Sequence, residues 1–440
     1  MVIVMSWKGE SNPSMGSSHS SISLMAYRHQ AQFFLHLFVL FSLNAAVLSF
    51  DQRPNISAVD LAALSAIKDS LTDIPGSRFF STWDFSAPDP CSSFTGVTCS
   101  FNRVTILSLG TGLSHSPGLA GSLSPALSNL TELTQLVLFP GLITGPIPPQ
   151  LGQLTSLRVI SLNNNRLTGP ILTSFSTLPN LHTLDLSSNQ LTGSIPLGLT
   201  KLPSLKVLIL SSNDLTGELP RTVSAPLLHL DLKKNNISGL LPRLPLTLRY
   251  LSLSENSLWG PLNGLESLSE LVYLDVSMNK FSGPIPSSLF LNPSLSSLFL
   301  QRNNLSGGLP SIKMDPTIES FGKGSIVDLS HNFITGQVTP LLAGVETLFL
   351  NNNHLIGPVP EECIKSVYSG TTKTLYLQHN FLSGFPLPQG LALPDTVSLC
   401  LSYNCMVPPV GISACPASAG TQPSRPESQC SEFSHLSSMD

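Results

Sequence analysis

The sequence offers few residues for catalysis, and their spacing does not suit it. Asp328 and His331 lie three residues apart among serines, which are the residue types of a nucleophilic hydrolase. No G-x-S-x-G segment accompanies them. Both also occupy positions of a repeated pattern, in which Asp185, Asp231 and Asp275 recur. The sequence therefore predicts that this is a repeat position rather than an active site.

A second candidate for acid–base chemistry is the adjacent pair Glu361 and Glu362. Neighbouring carboxylates on a loop do not face each other across a substrate, as the paired acids of a glycosidase must. We therefore predict that the protein is not an enzyme. We also predict no catalytic residue, no metal site and no cofactor.

The cysteines are clustered near the two ends of the chain. No C-x2-C pair is present, which disfavours a zinc site. In a chain with a secretory leader, such cysteines predict disulfides with one thiol left over. The pairing of the last five stays open. The seven positions are Cys91, Cys99, Cys363, Cys400, Cys405, Cys415 and Cys430.

Four Asn-x-Ser/Thr segments are candidate glycosylation sites in a secreted protein. They begin at Asn55, Asn129, Asn236 and Asn304. Such segments also arise by chance in a chain rich in Asn and Ser, so we expect two or three of the four to carry a glycan. Asn236 and Asn304 each follow a recurring Asn, at the exit of a predicted strand.

The composition excludes some partners. Charged residues make up 11% of the chain and the net charge is −4. Nucleic-acid binding favours a basic patch, so no nucleic-acid partner is predicted. The net negative charge also gives no reason to expect attraction to a membrane surface. Leu, Ser, Gly, Pro and Asn are plentiful instead, as a repeated structural unit would require.

The chain repeats one pattern, which residues 157–180 and 181–204 show most clearly. Leu157, Ile160, Leu162 and Asn165 return 24 residues later. The pattern L-x-x-L-x-L-x-x-N-x-L at this period is typical of a leucine-rich repeat solenoid. The sequence therefore predicts an α/β-type solenoid with a parallel β-sheet on its concave face.

An unbroken column of asparagines accompanies the leucines. The leucines alternate along short strands and become buried only when neighbouring turns stack. Each Asn, at the bend after the strand, is expected to bond backbone groups of adjacent turns. The predicted Asn ladder is Asn165, Asn189, Asn213, Asn235, Asn256, Asn279, Asn303, Asn332, Asn353, Asn380 and Asn404.

The second half of each repeat resembles the plant-specific subclass of leucine-rich repeats. It reads LTGSIP at 191–196 and FSGPIP at 281–286. The resemblance implies an additional short strand in each repeat, which twists the solenoid into a right-handed superhelix.

The segment before the repeats resembles the N-terminal cap of plant leucine-rich repeat receptor-like proteins and kinases. Residues 58–74 have apolar positions at helical spacing, and Trp83 and the segment PDPCSSFTGVTC at 88–99 follow. Phe94 stands where the family usually has Trp. The resemblance implies a short helix stapled by a Cys91–Cys99 disulfide, which covers the first leucines of the array.

These features predict the organisation of the chain. Residues 1–24 are interpreted as a non-structural extension and 25–49 as a signal peptide, since the apolar run is too short to span a membrane. The cap follows at 50–103 and about 12–13 repeats at 104–405. Residues 406–440 are interpreted as a cap remnant and a disordered tail. No kinase motif or later apolar span is found, so we expect a protein secreted to the cell exterior or wall, without membrane insertion after signal removal.

The variable strand positions form the concave face, and their content changes along the chain. The repeats at 157–212 carry small polar residues, whereas later repeats carry aromatic and charged residues. Exposed aromatics and Arg are typical of protein and peptide hot spots. We hypothesise a binding strip within 250–380; the alternative is that Phe299 and Phe349 only pack against each other. The strip comprises Tyr250, Tyr273, Phe299, Arg302, His331, Phe349, Tyr376 and His379.

The predicted function is binding of a peptide or protein ligand. The family resemblance implies a receptor-like protein that acts with a membrane receptor kinase. Its partner would be that kinase's ectodomain, which could also hold it at the plasma membrane. The alternative is an inhibitor of secreted cell-wall-degrading enzymes, similar to the polygalacturonase-inhibiting proteins. Those proteins have fewer repeats and more paired cysteines in their caps, which disfavours the alternative.

Overall fold

The computed structural model describes residues 56–87, 89–110, 118–311, 321–386, 393–407, 415–420 and 422–436. The predicted extension 1–24, the predicted signal peptide 25–49 and Asn55 lie outside the described residues. Within the described ranges, no helix is long and apolar enough to cross a membrane.

The repeats form one long concave sheet, which confirms the predicted solenoid. A first hairpin pairs antiparallel, and all later neighbours pair parallel and in equivalent positions, so that Leu136 pairs with Ile160 and Ile160 with Leu184. The strands are β2 (Val97–Ser100), β3 (Arg103–Leu109), β5 (Gln135–Leu138), β7 (Val159–Ser161), β9 (Thr183–Asp185), β11 (Val207–Ile209), β13 (His229–Asp231), β15 (Tyr250–Ser252), β17 (Tyr273–Asp275), β19 (Ser297–Phe299), β21 (Ile326–Asp328), β23 (Thr347–Phe349), β25 (Thr374–Tyr376) and β27 (Ser398–Cys400).

The L-x-G-x-I-P halves form a second sheet, as the resemblance implied. Its strands are β1 (Leu71–Asp73), β4 (Leu119–Ser122), β6 (Leu142–Pro146), β8 (Arg166–Pro170), β10 (Gln190–Gly193), β12 (Asp214–Glu218), β14 (Asn236–Gly239), β16 (Ser257–Gly260), β18 (Lys280–Gly283), β20 (Asn304–Gly308) and β22 (Phe333–Thr335), followed by the pair β24 (Ile356–Pro358) and β26 (Phe381–Gly384).

The two sheets differ in register. In the second sheet Thr168 pairs with Gln190 and Thr192 with Asp214, which are positions two residues apart in the repeat. Each strand is thus displaced by two residues, or about 6.6 Å, relative to the in-register concave sheet. Because one side of every repeat slips and the other does not, successive repeats rotate. We attribute to this register difference the superhelical twist that the resemblance implied.

Helical segments line the convex side and complete the two caps. Most are 3-10 helices, at Phe79–Thr82, Pro125–Asn129, Pro149–Gln153, Thr173–Thr177, Leu199–Lys201, Asn263–Leu265, Pro340–Leu342 and Ala417–Ala419. The α-helices are α1 (Ala58–Ser70), α2 (Pro90–Ser93), α3 (Ser288–Leu291), α4 (Glu361–Tyr368) and α5 (Glu427–Leu436). Near β13 the convex segments are extended instead, and Thr222 forms a parallel bridge with Arg243.

The Asn ladder joins neighbouring repeats by hydrogen bonds. The Asn189 side chain accepts a bond from the Leu167 backbone N–H at 3.0 Å, in the preceding repeat. Its Nδ2 donates to the carbonyls of Leu162, Leu186 and Ser187 at 3.0–3.1 Å. The same arrangement recurs from Asn165 to Asn404. The ladder therefore satisfies buried backbone groups that no strand pairing reaches.

The N-terminal cap contains the Cys91–Cys99 disulfide that the resemblance implied. The buried Asp60 carboxylate binds the Arg103 guanidinium and accepts from the Val104 N–H at 2.8 Å, which fastens α1 to the first repeat. Phe94 stacks on Trp83 with ring centroids 5.1 Å apart, so it fills the place of the usual Trp.

The prediction of a helix over residues 58–74 is only partly correct. Helix α1 ends at Ser70, because Leu71–Asp73 leaves it to form β1, paired antiparallel with β4. Val59, which the pattern placed on the apolar face, is exposed. The end of the cap is therefore shaped by the second sheet rather than by helical propensity.

The prediction of a disordered tail is wrong for the described residues after 405. Disulfides join Cys400 to Cys415 and Cys405 to Cys430, and the last strand stacks under this folded cap. The Arg425 guanidinium lies over the Phe381 ring at 4.0 Å and donates to the Asn380 carbonyl. Cys363 is the free cysteine of the described chain; it is buried in α4, and burial raises the pKa of its thiol to about 12.

Replacing a ladder residue tests the hydrogen-bonding role. Asn189→Ala removes an acceptor and the donors to three carbonyls, leaving buried backbone groups unsatisfied, so we expect a loss of about 2–4 kcal/mol in unfolding free energy. Urea denaturation followed by circular dichroism measures it. The matched control is Gln190→Ala, an exposed neighbour. Equal effects of the two substitutions would contradict the role.

Candidate functional site

The concave face presents three columns of outward-pointing side chains, one residue per strand in each. The first column precedes the central leucine of each strand, the second follows it, and the third lies two residues further along. His229, Tyr250 and Tyr273 are successive members of the first column, and Asp231 and Asp275 belong to the second. In-register pairing keeps each column straight, with neighbours about 4.8 Å apart.

Four rings form a continuous aromatic stack across β13, β15, β17 and β19. His229 lies parallel to Tyr250 with centroids 4.0 Å apart, and Tyr250 lies parallel to Tyr273 at 4.3 Å. Tyr273 contacts Phe299 of the second column at 5.6 Å. The aromatic stack is therefore His229, Tyr250, Tyr273 and Phe299, and it gives this part of the sheet a rigid apolar surface.

The expectation that all the aromatic side chains are exposed is wrong. Tyr273, Phe299 and Phe349 are 8%, 5% and 9% exposed. Each packs on the ring of a neighbouring strand, and Phe349 packs on Tyr376 with centroids 5.2 Å apart. Tyr250 and Tyr376 are half-buried. The buried rings can form only the floor of a site, whereas the half-buried ones remain accessible.

The alternative that Phe299 packs against Phe349 does not hold as stated. Phe299 pairs with Asp328 and Asp328 pairs with Phe349, so an entire strand separates the two rings. Each has another aromatic partner instead. The later repeats thus contain two aromatic groups, the aromatic stack and the Phe349–Tyr376 pair.

A column of carboxylates runs beside the aromatic stack. Asp185, Asp231, Asp275 and Asp328 are buried, and each accepts a bond from the backbone N–H two residues later, at 2.9–3.1 Å. Burial raises the pKa of the Asp231 carboxyl to about 6, and it also raises the pKa values of Asp185 and Asp275. Burial lowers the pKa of His229 to about 3, so this ring is neutral at physiological pH.

Three of the predicted residues lie at the left-handed turn that precedes each ladder Asn. Arg302, His331 and His379 have φ values of 57°, 56° and 59°. Arg302 and His331 are exposed and form a rim beside the stack. His379 is instead held by the C-terminal cap, since its Nε2 lies 3.0 Å from the Ala419 carbonyl and its ring contacts Tyr403. The structure therefore favours a structural role for His379.

Sequence reasoning missed three residues on this face. His229 extends the aromatic stack by one strand, and Gln301 and Gln378 belong to the third column. The Oε1 atoms of both glutamines are buried, and no described residue donates a hydrogen bond to them. The first column of the pattern, read back from Tyr250, would have found His229. Nothing in the sequence reveals an unsatisfied amide.

The residues considered for catalysis make the following contacts. The Asp328 carboxylate accepts from the Ser330 N–H, while His331 lies at the turn beside Asn352, 3.4 Å from Nε2 to Nδ2. Glu361 pairs with Lys365 at 2.9 Å at the start of α4. Among the described residues, no three His, Cys, Asp or Glu side chains are grouped to hold a metal ion.

The predicted glycosylation sites within the described chain are accessible. Asn129, Asn236 and Asn304 are exposed. Asn236 and Asn304 start β14 and β20 of the second sheet, away from the concave face. Glycans there would leave the aromatic stack uncovered.

Comparison with known families places the chain among leucine-rich repeat proteins. A leucine-rich repeat N-terminal domain matches residues 57–100, and leucine-rich repeats match residues 154–215 and 270–291. Receptor-like protein 54 of Arabidopsis thaliana is 32% identical over 145 residues, which cover 30% of this chain and 17% of that protein. The chain thus matches a small part of the length of this relative.

Two solved structures share the fold. The leucine-rich repeat ectodomain of the membrane receptor kinase GASSHO1/SCHENGEN3 of Arabidopsis thaliana, in complex with CASPARIAN STRIP INTEGRITY FACTOR 2, superposes with a TM-score of 0.54 at 30% identity, covering 74% of this chain and 48% of that one. A plant ice-binding protein superposes with a TM-score of 0.53 at 28% identity, covering 77% of this chain and 98% of that one.

The buried Asp231 makes a pH-dependent contribution to stability. Its carboxyl holds a proton up to about pH 6 in the folded protein but releases it near its ordinary pKa of 3.8 when unfolded. Raising the pH from 4 to 6 therefore destabilises the fold through this group, with little further change above the folded pKa. We expect Asp231→Asn to gain stability relative to wild type across this interval, measured by urea denaturation at several pH values.

The control for this experiment is Asp214→Asn, which removes an exposed carboxylate from the second sheet. It reports the background effect of one lost negative charge, without removing the carboxyl that Asp275 and Lys233 influence in the wild type. Parallel pH curves for wild type and Asp231→Asn would contradict the prediction.

Proposed function

The chain belongs to the plant leucine-rich repeat receptor-like proteins, and we propose that it binds a peptide or protein ligand on the concave sheet between Asp231 and His379. The observation that carries the proposal is the aromatic stack with its exposed rim of Arg302 and His331. Aromatic and Arg side chains dominate protein-recognition hot spots.

The polar atoms of the third column support a peptide as the ligand. The Oε1 atoms of Gln301 and Gln378 are buried without a donor from any described residue. An unsatisfied buried acceptor costs about 1–3 kcal/mol, and a ligand donor would recover that energy once the amide group turned outward to meet it. The backbone N–H groups of an extended peptide are such donors, and they recur along its length as the columns recur along the sheet.

The floor and rim would act differently on such a ligand. Buried Tyr273 and Phe299 hold Tyr250 in a fixed orientation, and the half-buried Tyr250 ring offers its accessible part to an apolar side chain. Arg302 and His331 supply charge and hydrogen bonds above this floor. A preorganised surface of this kind loses little entropy when a ligand binds.

We further propose that the protein is secreted and acts with the ectodomain of a membrane receptor kinase. The proposed site is a binding surface, so signalling through it would require a partner. The relatives are receptor-like proteins, and a structural neighbour is a receptor kinase ectodomain in complex with CASPARIAN STRIP INTEGRITY FACTOR 2.

The rim provides a test that does not disturb the fold. Full-length protein fused to a proximity-labelling enzyme is applied to living plant cells, and labelled receptor kinase ectodomains are quantified by mass spectrometry. We expect Arg302→Ala with His331→Ala to reduce this labelling about tenfold or more, as loss of two hot-spot side chains would.

The matched control is Ser188→Ala with Ser212→Ala, at the same left-handed turn in repeats without aromatic side chains. Both double variants carry the same backbone cost, so thermal unfolding should shift equally. Unchanged labelling by the rim variant, or equal loss in the control, would overturn the proposal.

A further inference from the structure

A row of basic side chains lies at the edge of the concave sheet, in repeats that lack aromatic anchors. Arg158, His182 and Lys206 each directly precede the first column. The His182 N–H donates to the Arg158 carbonyl at 2.8 Å, and the Lys206 N–H donates to the His182 carbonyl at 2.9 Å. The three residues therefore sit on adjacent strands, about 4.8 Å apart. We call them the edge row.

The edge row contains no carboxylate. The strand-entry segments 154–160, 178–184 and 202–208 hold neither Asp nor Glu. Among the described residues Arg158 and Lys206 form no ion pair. Arg158 is exposed and Lys206 is half-buried, so both charges can reach a bound molecule.

In two other repeats, the basic residue at the same edge position forms an ion pair. Arg249 pairs with Glu270 of the next repeat at 3.3 Å, and Lys373 pairs with Glu346 of the preceding one at 2.9 Å. Each cation there has a carboxylate on the adjacent strand. Within the edge row each basic residue has another on an adjacent strand. Glu132, in the repeat before Arg158, lies 3.9 Å from Arg103 instead, so the row can hold an anion from outside.

The charges of the row are close enough to influence one another. His182 is half-buried, with Nδ1 3.1 Å from the Thr183 hydroxyl. Burial, and then the charges of Arg158 and Lys206, lower the pKa of His182. An anion bound along the row would offset this repulsion and favour the protonated imidazole.

We propose that the edge row binds a linear acidic polysaccharide, with carboxylates of successive sugar rings placed against Arg158, His182 and Lys206. The row is straight, whereas a single phosphate or sulfate requires donors that converge on one point. Side chains on one face of an extended acidic peptide are about 6.6 Å apart, longer than the strand spacing. A uronic acid chain carries one carboxylate on every ring, and rotation about its glycosidic bonds can turn neighbouring carboxylates toward the same surface.

This surface is separate from the proposed ligand site. It lies in the repeats at 157–212, whose concave positions are small and polar, while the aromatic stack begins at His229. The net charge of −4 would not attract a polyanion from a distance, so binding depends on the local row. Failure of one proposal therefore leaves the other standing.

The test measures binding of the full chain to polygalacturonate by biolayer interferometry. We expect Arg158→Gln with Lys206→Gln to weaken binding about tenfold, because two direct charge contacts are lost. The matched control is Arg166→Gln with Lys280→Gln, which removes two exposed positive charges from the second sheet and should change affinity less than twofold. Thermal unfolding checks that both variants fold.

Three further results decide the proposal. Binding of wild type should strengthen from pH 7 to pH 5 as His182 gains a proton, and His182→Gln should remove that gain. Fully methyl-esterified polygalacturonate should not bind. Equal losses in both double variants, tighter binding of polyglutamate than of polygalacturonate, or binding of the esterified polymer would overturn it.

Discussion

The fold depends on the carboxamide of the ladder asparagine, which bonds two repeats at once. In-register strands satisfy backbone groups on the concave side, and the slipped second sheet satisfies others, but the bend between them would leave buried carbonyls unpaired. Asn189 meets that need with its acceptor toward Leu167 and its donors toward Leu162, Leu186 and Ser187. Leucine burial drives stacking, and the ladder fixes how one repeat sits on the next. In-register strand pairing then keeps the columns of the concave face straight.

The architecture could be predicted because it repeats. Leu184 and Asn189 have counterparts at the same position of other repeats. Because the residue type recurs there, its structural role can be predicted even if a single occurrence could arise by chance. Features that occur once had no such support. Residues 71–73 leave the helical pattern to join the second sheet, and the C-terminal tail folds through Cys400–Cys415 and Cys405–Cys430. Pairing of five cysteines is a question of distance in space, which linear spacing does not answer.

The candidate site was predictable in position but not in accessibility. The pattern placed Tyr250, Tyr273 and Phe299 on one face, and they do lie together in the aromatic stack. Their burial follows from ring-on-ring packing across strands, which depends on side-chain conformations that a periodic pattern does not encode. For the same reason Gln301 and Gln378 gave no signal, since an unsatisfied amide is defined by its neighbours. The edge row could not be predicted from the sequence, because no single residue in it is unusual. It is recognised only by comparison with Arg249 and Lys373, which pair with carboxylates at equivalent positions.

The two-residue slip of the second sheet has a consequence for how such a protein can change. The second sheet slips by two residues at successive steps, so the number of repeats between the N-terminal cap and the aromatic stack affects the direction in which the stack faces. The plain repeats at 157–212 act in this respect as a spacer of fixed pitch. Loss or gain of one of them would leave the cap and the stack intact while turning one about the axis relative to the other. The number of repeats thus determines the angle between the N-terminal cap and the aromatic stack.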